Sequence, residues 1–144
     1  MAKFDLHNHI NPKRGISPVA AAQTDNTAIV SQIVDTLGYG SVEFLILTGS
    51  LADADATFTV LVEHGDQSNL SDAATPSAGE LLGTAALASF TFADDDKVFK
   101  IGYVGSKRYV RVTITPANNT GNACVAGVWL LGHAVLQPTS NPPA

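Results

Sequence analysis

Apolar and polar residues alternate along several short segments of the chain, which is the pattern of β-strands with one buried face. The alternation is clearest in residues 41–48, 57–64 and 107–115, whereas residues 97–104 and 124–135 are more continuously apolar. Glycine, proline and acidic residues separate these segments at intervals of roughly 8–12 residues, and helical periodicity is almost absent. The pattern therefore predicts an all-β protein, an antiparallel β-sandwich of jelly-roll-like or barrel-like form with about seven or eight strands.

The turn residues predict how neighbouring strands pair. Residues 41–48 and 57–64 are expected to form a β-hairpin with a long loop. Gly105 and Ser106 provide a two-residue turn for a second hairpin, made by the two strands that flank them. The core is expected to contain the inward-facing residues of these strands and of two others. Its predicted members are Val42, Phe44, Ile46, Phe58, Val60, Val62, Phe90, Phe92, Phe99, Ile101, Val110, Val112, Ile114, Val128 and Leu130.

Residues 1–25 differ from the rest of the chain because their apolar side chains follow no sustained period. Pro12 and Pro18 interrupt the segment, and proline removes a hydrogen-bond donor and biases its neighbour towards extended geometry. We interpret the segment as an extended N-terminal arm whose apolar residues anchor it to a partner, with a disordered terminus as the alternative. The β-sandwich domain is then predicted to span residues 26–136, and residues 137–144 to form a proline-rich C-terminal tail.

The charge content narrows the possible functions. Of the 144 residues only 15% are charged, whereas a typical domain has about 25%. Eight basic residues accompany thirteen acidic ones, for a net charge of −5, so we expect no binding of nucleic acid through a basic patch. The low charge indicates either a compact β domain with an uncharged polar surface or a surface buried in an assembly. No secretory signal or membrane-spanning run is predicted.

Residues with catalytic or metal-binding chemistry are few. His7 and His9 would lie on one side of an extended segment, but a zinc site needs a third or fourth ligand. Cys124 lies in an apolar run without a basic neighbour, so we interpret it as a small buried hydrophobic residue. The acidic residues at 53–55 and 94–96 fall in predicted turns, where Asp stabilises the backbone. Without a nucleophile elbow or a Walker loop, the sequence predicts no enzyme activity, no metal and no cofactor.

More than half of the basic residues gather on the second predicted hairpin. They are Lys97, Lys100, Lys107, Arg108 and Arg111, with Tyr103 and Tyr109 interleaved. A stacking platform for single-stranded nucleic acid has this composition. The alternatives are an electrostatic patch that faces another protein and a charged exposed side on an otherwise acidic domain.

Four phrases of the sequence resemble a known group of proteins. They are KFDLHNHI (3–10), SVEFLILTGSLADADATFTVLVEHGD (41–66), LLGTAALASFTFADDDKVFKIGYVGSKRYVRVTITPANNTG (81–121) and VWLLGHAVLQPT (128–139). Together they cover most of the chain, and they are similar to small proteins encoded in the head-gene region of tailed bacteriophages and prophages. The resemblance implies a structural protein of the virion, a capsid decoration, cement or minor capsid protein on the outer surface of the phage head, made in the bacterial cytoplasm.

The resemblance also implies partners. These are the major capsid protein and further copies of the chain, expected by analogy as a homo-trimer, without nucleic acid or membrane. The partner-binding residues are expected in the arm and on the basic hairpin: Phe4, Leu6, Ile10, Lys13, Arg14, Ile16, Lys97, Lys100, Lys107, Arg108 and Arg111. A position in the head–tail connector or tail, and a carbohydrate- or cell-surface-binding module displayed on the virion, are the alternatives.

Overall fold

The computed structural model describes residues 4–18 and 23–140, which form two antiparallel sheets packed face to face. This β-sandwich confirms the predicted fold class. The strands of the described residues are β1 (Ile10–Ile16), β2 (Ile29–Val30), β3 (Val34–Asp35), β4 (Tyr39–Leu51), β5 (Thr57–Gly65), β6 (Leu81–Leu82), β7 (Phe90–Thr91), β8 (Val98–Tyr103), β9 (Tyr109–Ala117) and β10 (Ala123–Ala134). Short helical turns cover His7–His9, Ala78–Glu80 and Ala85–Ala88, the last labelled α1.

The two sheets have different strand orders. Sheet A has the order β1-β10-β4-β8-β6, and sheet B has the order β2-β9-β5-β7, with β3 also paired to β9. The two longest strands, β4 and β10, lie side by side inside sheet A, from Ala123 opposite Leu51 to Ala134 opposite Tyr39. The sandwich is therefore built on one long strand pair whose inner face meets β5 and β9 of sheet B.

Neither of the two predicted hairpins forms. Strand β4 belongs to sheet A and β5 to sheet B, and the same is true of β8 and β9. Both connections therefore cross from one sheet to the other instead of turning back within one sheet. Alternation and turn residues locate the ends of a strand, but they do not fix which sheet the next strand joins. At the second crossing the hydroxyl of Tyr103 accepts a hydrogen bond from the backbone N–H of Lys107 at 3.0 Å.

The core is centred on two aromatic residues of the long strands. Phe44 and Trp129 are 0% and 1% exposed, and their ring centroids lie 4.5 Å apart. The Phe44 ring covers the backbone at Gly15 and Gly127, where any Cβ would overlap it. Glycine at these two positions thus allows a large ring to lie against neighbouring strands, and this contact links β1, β10 and β4.

Three predicted core residues are placed differently by the structure. Val128 and Leu130 point outward, and Trp129 and Leu131 point inward and are each 1% exposed. A shift of one residue along a strand exchanges its inward and outward side chains. Because β10 is apolar on both faces, its sequence pattern could not show which side chains point inward. Phe92 follows β7 and is 40% exposed. Of the other predicted core residues, Phe99 is half-buried against the core and the rest are buried.

Part of the predicted N-terminal arm is a strand of the sandwich. Residues 10–16 form β1, which pairs antiparallel with β10 at the edge of sheet A. Pro12 lies opposite Leu130, and an edge strand tolerates proline because one of its sides needs no ladder hydrogen bonds. Residues 1–3 and 19–22 of the predicted arm lie outside the described residues.

Candidate protein-interaction surface

The outer face of sheet A is unusually apolar. We use this name for the central outward side chains of its five strands, which leaves out Ser41 near the start of β4 and Cys124 near the start of β10. They are Ile10, Pro12 and Arg14 of β1, Ala126, Val128 and Leu130 of β10, Glu43, Leu45 and Leu47 of β4, Val98 and Lys100 of β8, and Leu82 of β6. Most of these residues are Leu, Val, Ile, Ala or Pro, although they lie on the solvent side of the sheet.

Strand register joins these side chains into one surface. Val128 lies opposite Leu45, and side chains at such positions lie about 5 Å apart. In the next row Leu47 has Ala126 on one side and Val98 on the other. Leu47 and Val98 are 41% and 65% exposed. A contiguous apolar patch of this kind on a monomer is characteristic of a surface that contacts another molecule.

One carboxylate lies among these apolar side chains. Glu43 has Leu130 opposite it on one side and Gly102 on the other. Because Gly102 lacks a side chain, the Glu43 carboxylate lies directly over its backbone. Burial raises the pKa of Glu43, and the nearby charge of Lys100 offsets part of this effect. The outer face of sheet A therefore holds an acid whose charged form is poorly solvated.

The outer face of sheet B has a different character. Its central outward residues are mainly threonines, with Thr59 opposite Thr115 and Leu61 opposite Thr113. Glu63 lies opposite Arg111 and accepts two hydrogen bonds from its guanidinium, at 2.8 and 3.0 Å. The outward residues of these strands thus combine hydroxyl groups with a neutralised ion pair.

The predicted basic cluster is dispersed over both sheets. Lys97 and Lys100 lie at β8 of sheet A, and the others lie at or just before β9 of sheet B. Four of the five form ion pairs, so their positive charge is neutralised locally. The pairs are Lys97 with Asp94, Lys107 with Asp66, Arg108 with Asp35 and Arg111 with Glu63. The fifth, Lys100, lies on the outer face of sheet A.

The predicted arm residues occupy several environments. Phe4 and Leu6 are 96% and 65% exposed, whereas Ile16 is a buried member of the core. Ile10 is half-buried on the outer face of sheet A. The arm residues and the basic residues therefore do not combine into one surface.

An open groove of about 480 Å³ lies between the edge strand β1 and the β2–β3 segment. Val34, Trp129 and Leu131 contribute its apolar floor, and Lys13 and Arg14 line it from β1. The indole N–H of Trp129 donates to the backbone carbonyl of Gln32 at 3.1 Å. The indole is therefore a structural part of the floor and does not present a free ring face.

A buried polar contact connects the two sheets. The Nδ1 of His64 on β5 lies 2.8 Å from the hydroxyl of Tyr103 on β8, and the Glu80 carboxylate lies 4.0 Å from the same nitrogen. Burial raises the pKa of Tyr103. Local sequence patterns do not indicate this contact, because its partners are separated along the chain and belong to different sheets.

The residues considered for metal or thiol chemistry have structural surroundings. His7 and His9 lie on a 3-10 turn and not on an extended segment. Among residues 4–18 and 23–140, no three His, Cys, Asp or Glu side chains are grouped as metal ligands. Asp53 accepts hydrogen bonds from the backbone N–H and the hydroxyl of Thr120, which lower its pKa. Cys124 is exposed, so its expected burial is wrong.

Comparison with known proteins gives fold-level similarity only. No protein-family model and no curated protein sequence matches the chain. Among similar solved structures are the CBM22-1–GH10 modules of the Clostridium thermocellum endo-1,4-beta-D-xylanase 10B complexed with xylohexaose (12% identity, 94% of this chain and 28% of that chain, TM-score 0.45). A xylan-binding module CBM15 is 11% identical over 92% of this chain and 96% of its own, with a TM-score of 0.39.

A family two carbohydrate esterase from Cellvibrio japonicus is 12% identical over 93% of this chain and 37% of its own, with a TM-score of 0.29. Because all three TM-scores lie below 0.5, these similarities carry no argument about function. None of the helices in the described ranges is long and apolar enough to cross a membrane.

Proposed function

We propose that this chain is a structural protein of a bacteriophage virion, a decoration or cement protein that binds the outer surface of the head and bridges subunits of the major capsid protein. The observation that carries the proposal is the apolar outer face of sheet A. The phrase-level resemblance to phage head-region proteins supplies the identity of the partner.

A cement protein acts through contact area. On the outer face of sheet A, two neighbouring apolar rows lie side by side across the strands: Ala126, Leu47 and Val98, and Val128 and Leu45. Removing such apolar area from water contributes roughly 25 cal/mol per Å² before the cost of association. Each contact is modest, but a symmetric shell repeats it many times, and the repeated contacts stabilise the particle together.

The few charged groups of this face suit a protein partner. Arg14 lies opposite Val128 on one side of the apolar row, and Lys100 lies opposite Leu45 on the other. Protein interfaces commonly place charged groups at the rim of an apolar centre. Arg14 and Lys100 were both among the residues expected to bind the partner, and in this proposal they frame the docking surface.

A matched pair of substitutions tests the proposal. Leu47 and Leu61 are outward residues of central strands and are 41% and 40% exposed, but they lie on opposite outer faces. Phage heads assembled without this protein are mixed with the purified chain, and the bound copies are counted after sedimentation. We expect Leu47→Glu to weaken attachment about tenfold or more, because a charge would be buried in the contact. Leu61→Glu is expected to bind like the unmodified chain.

The same measurement can contradict the proposal. Absence of binding by the unmodified chain would overturn the cement function, and equal losses in both variants would overturn the role of the outer face of sheet A. The number of copies per particle distinguishes the possible positions in the virion, because a decoration protein covers the shell whereas a connector protein forms one ring. Thermal unfolding of each variant verifies that it is folded.

A further inference from the structure

The groove beside β1 is lined by two basic residues that form no ion pair with any described residue. Neither Lys13 nor Arg14 has a carboxylate within 4.0 Å in this part of the chain, in contrast to the four ion-paired basic residues. Asp35 also lines the groove, but its carboxylate is already paired with Arg108. The floor of the groove is buried, whereas Leu37 at its side is 66% exposed. The groove thus combines an exposed apolar side chain with two cations, and it suits a segment that presents an apolar side chain next to carboxylates.

The chain itself contains such a segment in residues 92–96. Phe92 was predicted to lie in the core, but its side chain is 40% exposed. It is followed by three consecutive aspartates, of which Asp94 is paired with Lys97 and Asp95 accepts a hydrogen bond from the backbone N–H of Leu51. Asp96 is exposed and has a left-handed backbone with φ of 54°. An aromatic side chain and carboxylates are therefore displayed together on one loop.

The loop and the groove lie on opposite sides of the sandwich. The groove adjoins β1 and the β2–β3 segment, which form one lateral edge of the two sheets. The loop connects β7, the opposite edge of sheet B, to β8 near the opposite edge of sheet A. Along β4 they are also displaced, because Leu131 of the groove pairs with Val42 while Asp96 bonds to Gly49. The seven-residue step from Val42 to Gly49 corresponds to roughly 23 Å along the strand.

We propose that copies of this chain associate side by side, with the 92–96 loop of one copy seated in the Lys13–Arg14 groove of the next. In this contact Phe92 packs against Leu37, the exposed apolar residue of the groove, and the carboxylates of the loop approach the two cations. The contact is heterologous, because each copy uses one surface to receive and a different surface to insert. This inference deepens the proposed function by naming how neighbouring copies meet on a head.

A heterologous contact has a defined consequence for assembly. If the rotation between successive copies divides a full turn, the copies close into a ring in which each groove and each loop is occupied. A ring of three copies would agree with the trimer that the sequence resemblance implies. Apart from Arg14 at its edge, the outer face of sheet A takes no part in the contact and remains open to the capsid protein.

Sedimentation of the purified full-length chain tests the inference without any phage head. We expect the unmodified chain to form a discrete oligomer. The double variant Lys13→Glu and Arg14→Glu is expected to sediment as a monomer, with association weakened at least about tenfold, because carboxylates would then face carboxylates. Adding Asp95→Lys and Asp96→Lys to that variant reverses both sides of the contact, and we expect this four-fold variant to recover the oligomer.

A second variant tests the apolar part of the contact. Phe92→Ser is expected to lower association, whereas Leu61→Ser, at a site of equal exposure on the outer face of sheet B, is expected to leave it unchanged. Lys100→Glu controls for charge reversal on the outer face of sheet A and is also expected to be neutral. Thermal unfolding identifies any variant that has lost its fold, so a loss of the oligomer is scored only for folded protein.

Three outcomes overturn the inference: a monomer at all concentrations of the unmodified chain, an oligomer that survives reversal of the groove charges, or an oligomer that Lys100→Glu dissociates. Failure of the cement function is a separate result. An oligomer that depends on the groove but does not bind heads would support this inference and contradict the cement function. A monomer that binds heads would support the cement function and contradict this inference.

Discussion

The two outer faces of the sandwich differ although their strands share one core. On sheet A the outward neighbours Leu45 and Val128 are apolar, and the carboxylate of Glu43 lies among apolar residues. On sheet B the equivalent positions carry threonines and an ion pair between Glu63 and Arg111. The core consists of inward side chains, so the outward side chains can differ in character while the core stays the same. The difference therefore lies in what each face presents to its surroundings.

This comparison also explains the low charge of the sequence. Two readings were open, an uncharged polar surface or a surface covered in an assembly. The outer face of sheet B corresponds to the first reading, because its strands expose threonine hydroxyls. The outer face of sheet A exposes apolar residues instead, as the second reading expects. Average composition could not separate these readings, since one molecule contains both kinds of surface.

The largest expected effect tests whether the outward residues of sheet A serve the fold. Phe44 points inward and is fully buried, and its neighbour Leu45 points outward and is half-buried. We expect Phe44→Ala to lower the free energy of unfolding by about 3–5 kcal/mol, and Leu45→Ala to lower it by about 1 kcal/mol. Urea denaturation of both variants measures the difference. A loss from Leu45→Ala as large as that from Phe44→Ala would mean that the outer face is part of the folding core.

How much the sequence could predict is visible in these same strands. Alternation in β4 assigned Phe44 to the core, and the structure agrees, because its neighbour Glu43 marks the outward phase of an otherwise apolar run. In β10 residues 125–131 are all apolar or glycine, and the assignment of Val128 and Leu130 to the core was wrong by one residue. The outer face of sheet A carries the proposed function, and it includes the strand whose sequence pattern said least about which side chains point outward.

The pairing of distant groups was outside the reach of local sequence patterns. Arg108 forms two hydrogen bonds with Asp35, at 2.7 and 2.9 Å, although 73 residues separate them along the chain. The sequence showed a group of basic residues on consecutive strands. The crossing between sheets places a different acid beside each of Lys107, Arg108 and Arg111. Lys97 instead pairs with Asp94, only three residues away. A predicted cluster of positive charge thus became a set of separate ion pairs once the topology was known.

The next effect in size concerns the ion pair on the outer face of sheet B. Glu63 and Arg111 are less than one-third exposed and share two hydrogen bonds. We expect Glu63→Gln to lower the free energy of unfolding by about 1 kcal/mol. A double-mutant cycle with Arg111→Met isolates the pair from other effects of each substitution. A coupling energy of zero would show that the ion pair adds no stability to this face.

The smallest expected effect is a gain in stability, from a substitution of Glu43 on the outer face of sheet A. Burial raises the pKa of Glu43 in the folded chain, so the folded state binds a proton more tightly than the unfolded state does. Stability from this group is therefore fully present below its unfolded pKa, and it is lost as the pH rises through the higher folded pKa. At neutral pH the charged carboxylate opposes folding, so we expect Glu43→Gln to raise the free energy of unfolding slightly, whereas Glu63→Gln lowers it.

The pH dependence of the free energy of unfolding distinguishes this electrostatic effect from a change of packing. The difference between Glu43→Gln and the unmodified chain is expected to shrink as the pH falls, because a protonated carboxyl and an amide are both uncharged. Urea denaturation at a series of pH values measures it, with Glu63→Gln as the matched control. A gain from Glu43→Gln that is independent of pH would contradict the electrostatic explanation. A loss at neutral pH would show that the Glu43 charge stabilises the fold, and the contrast between the two faces would then be smaller than their side chains indicate.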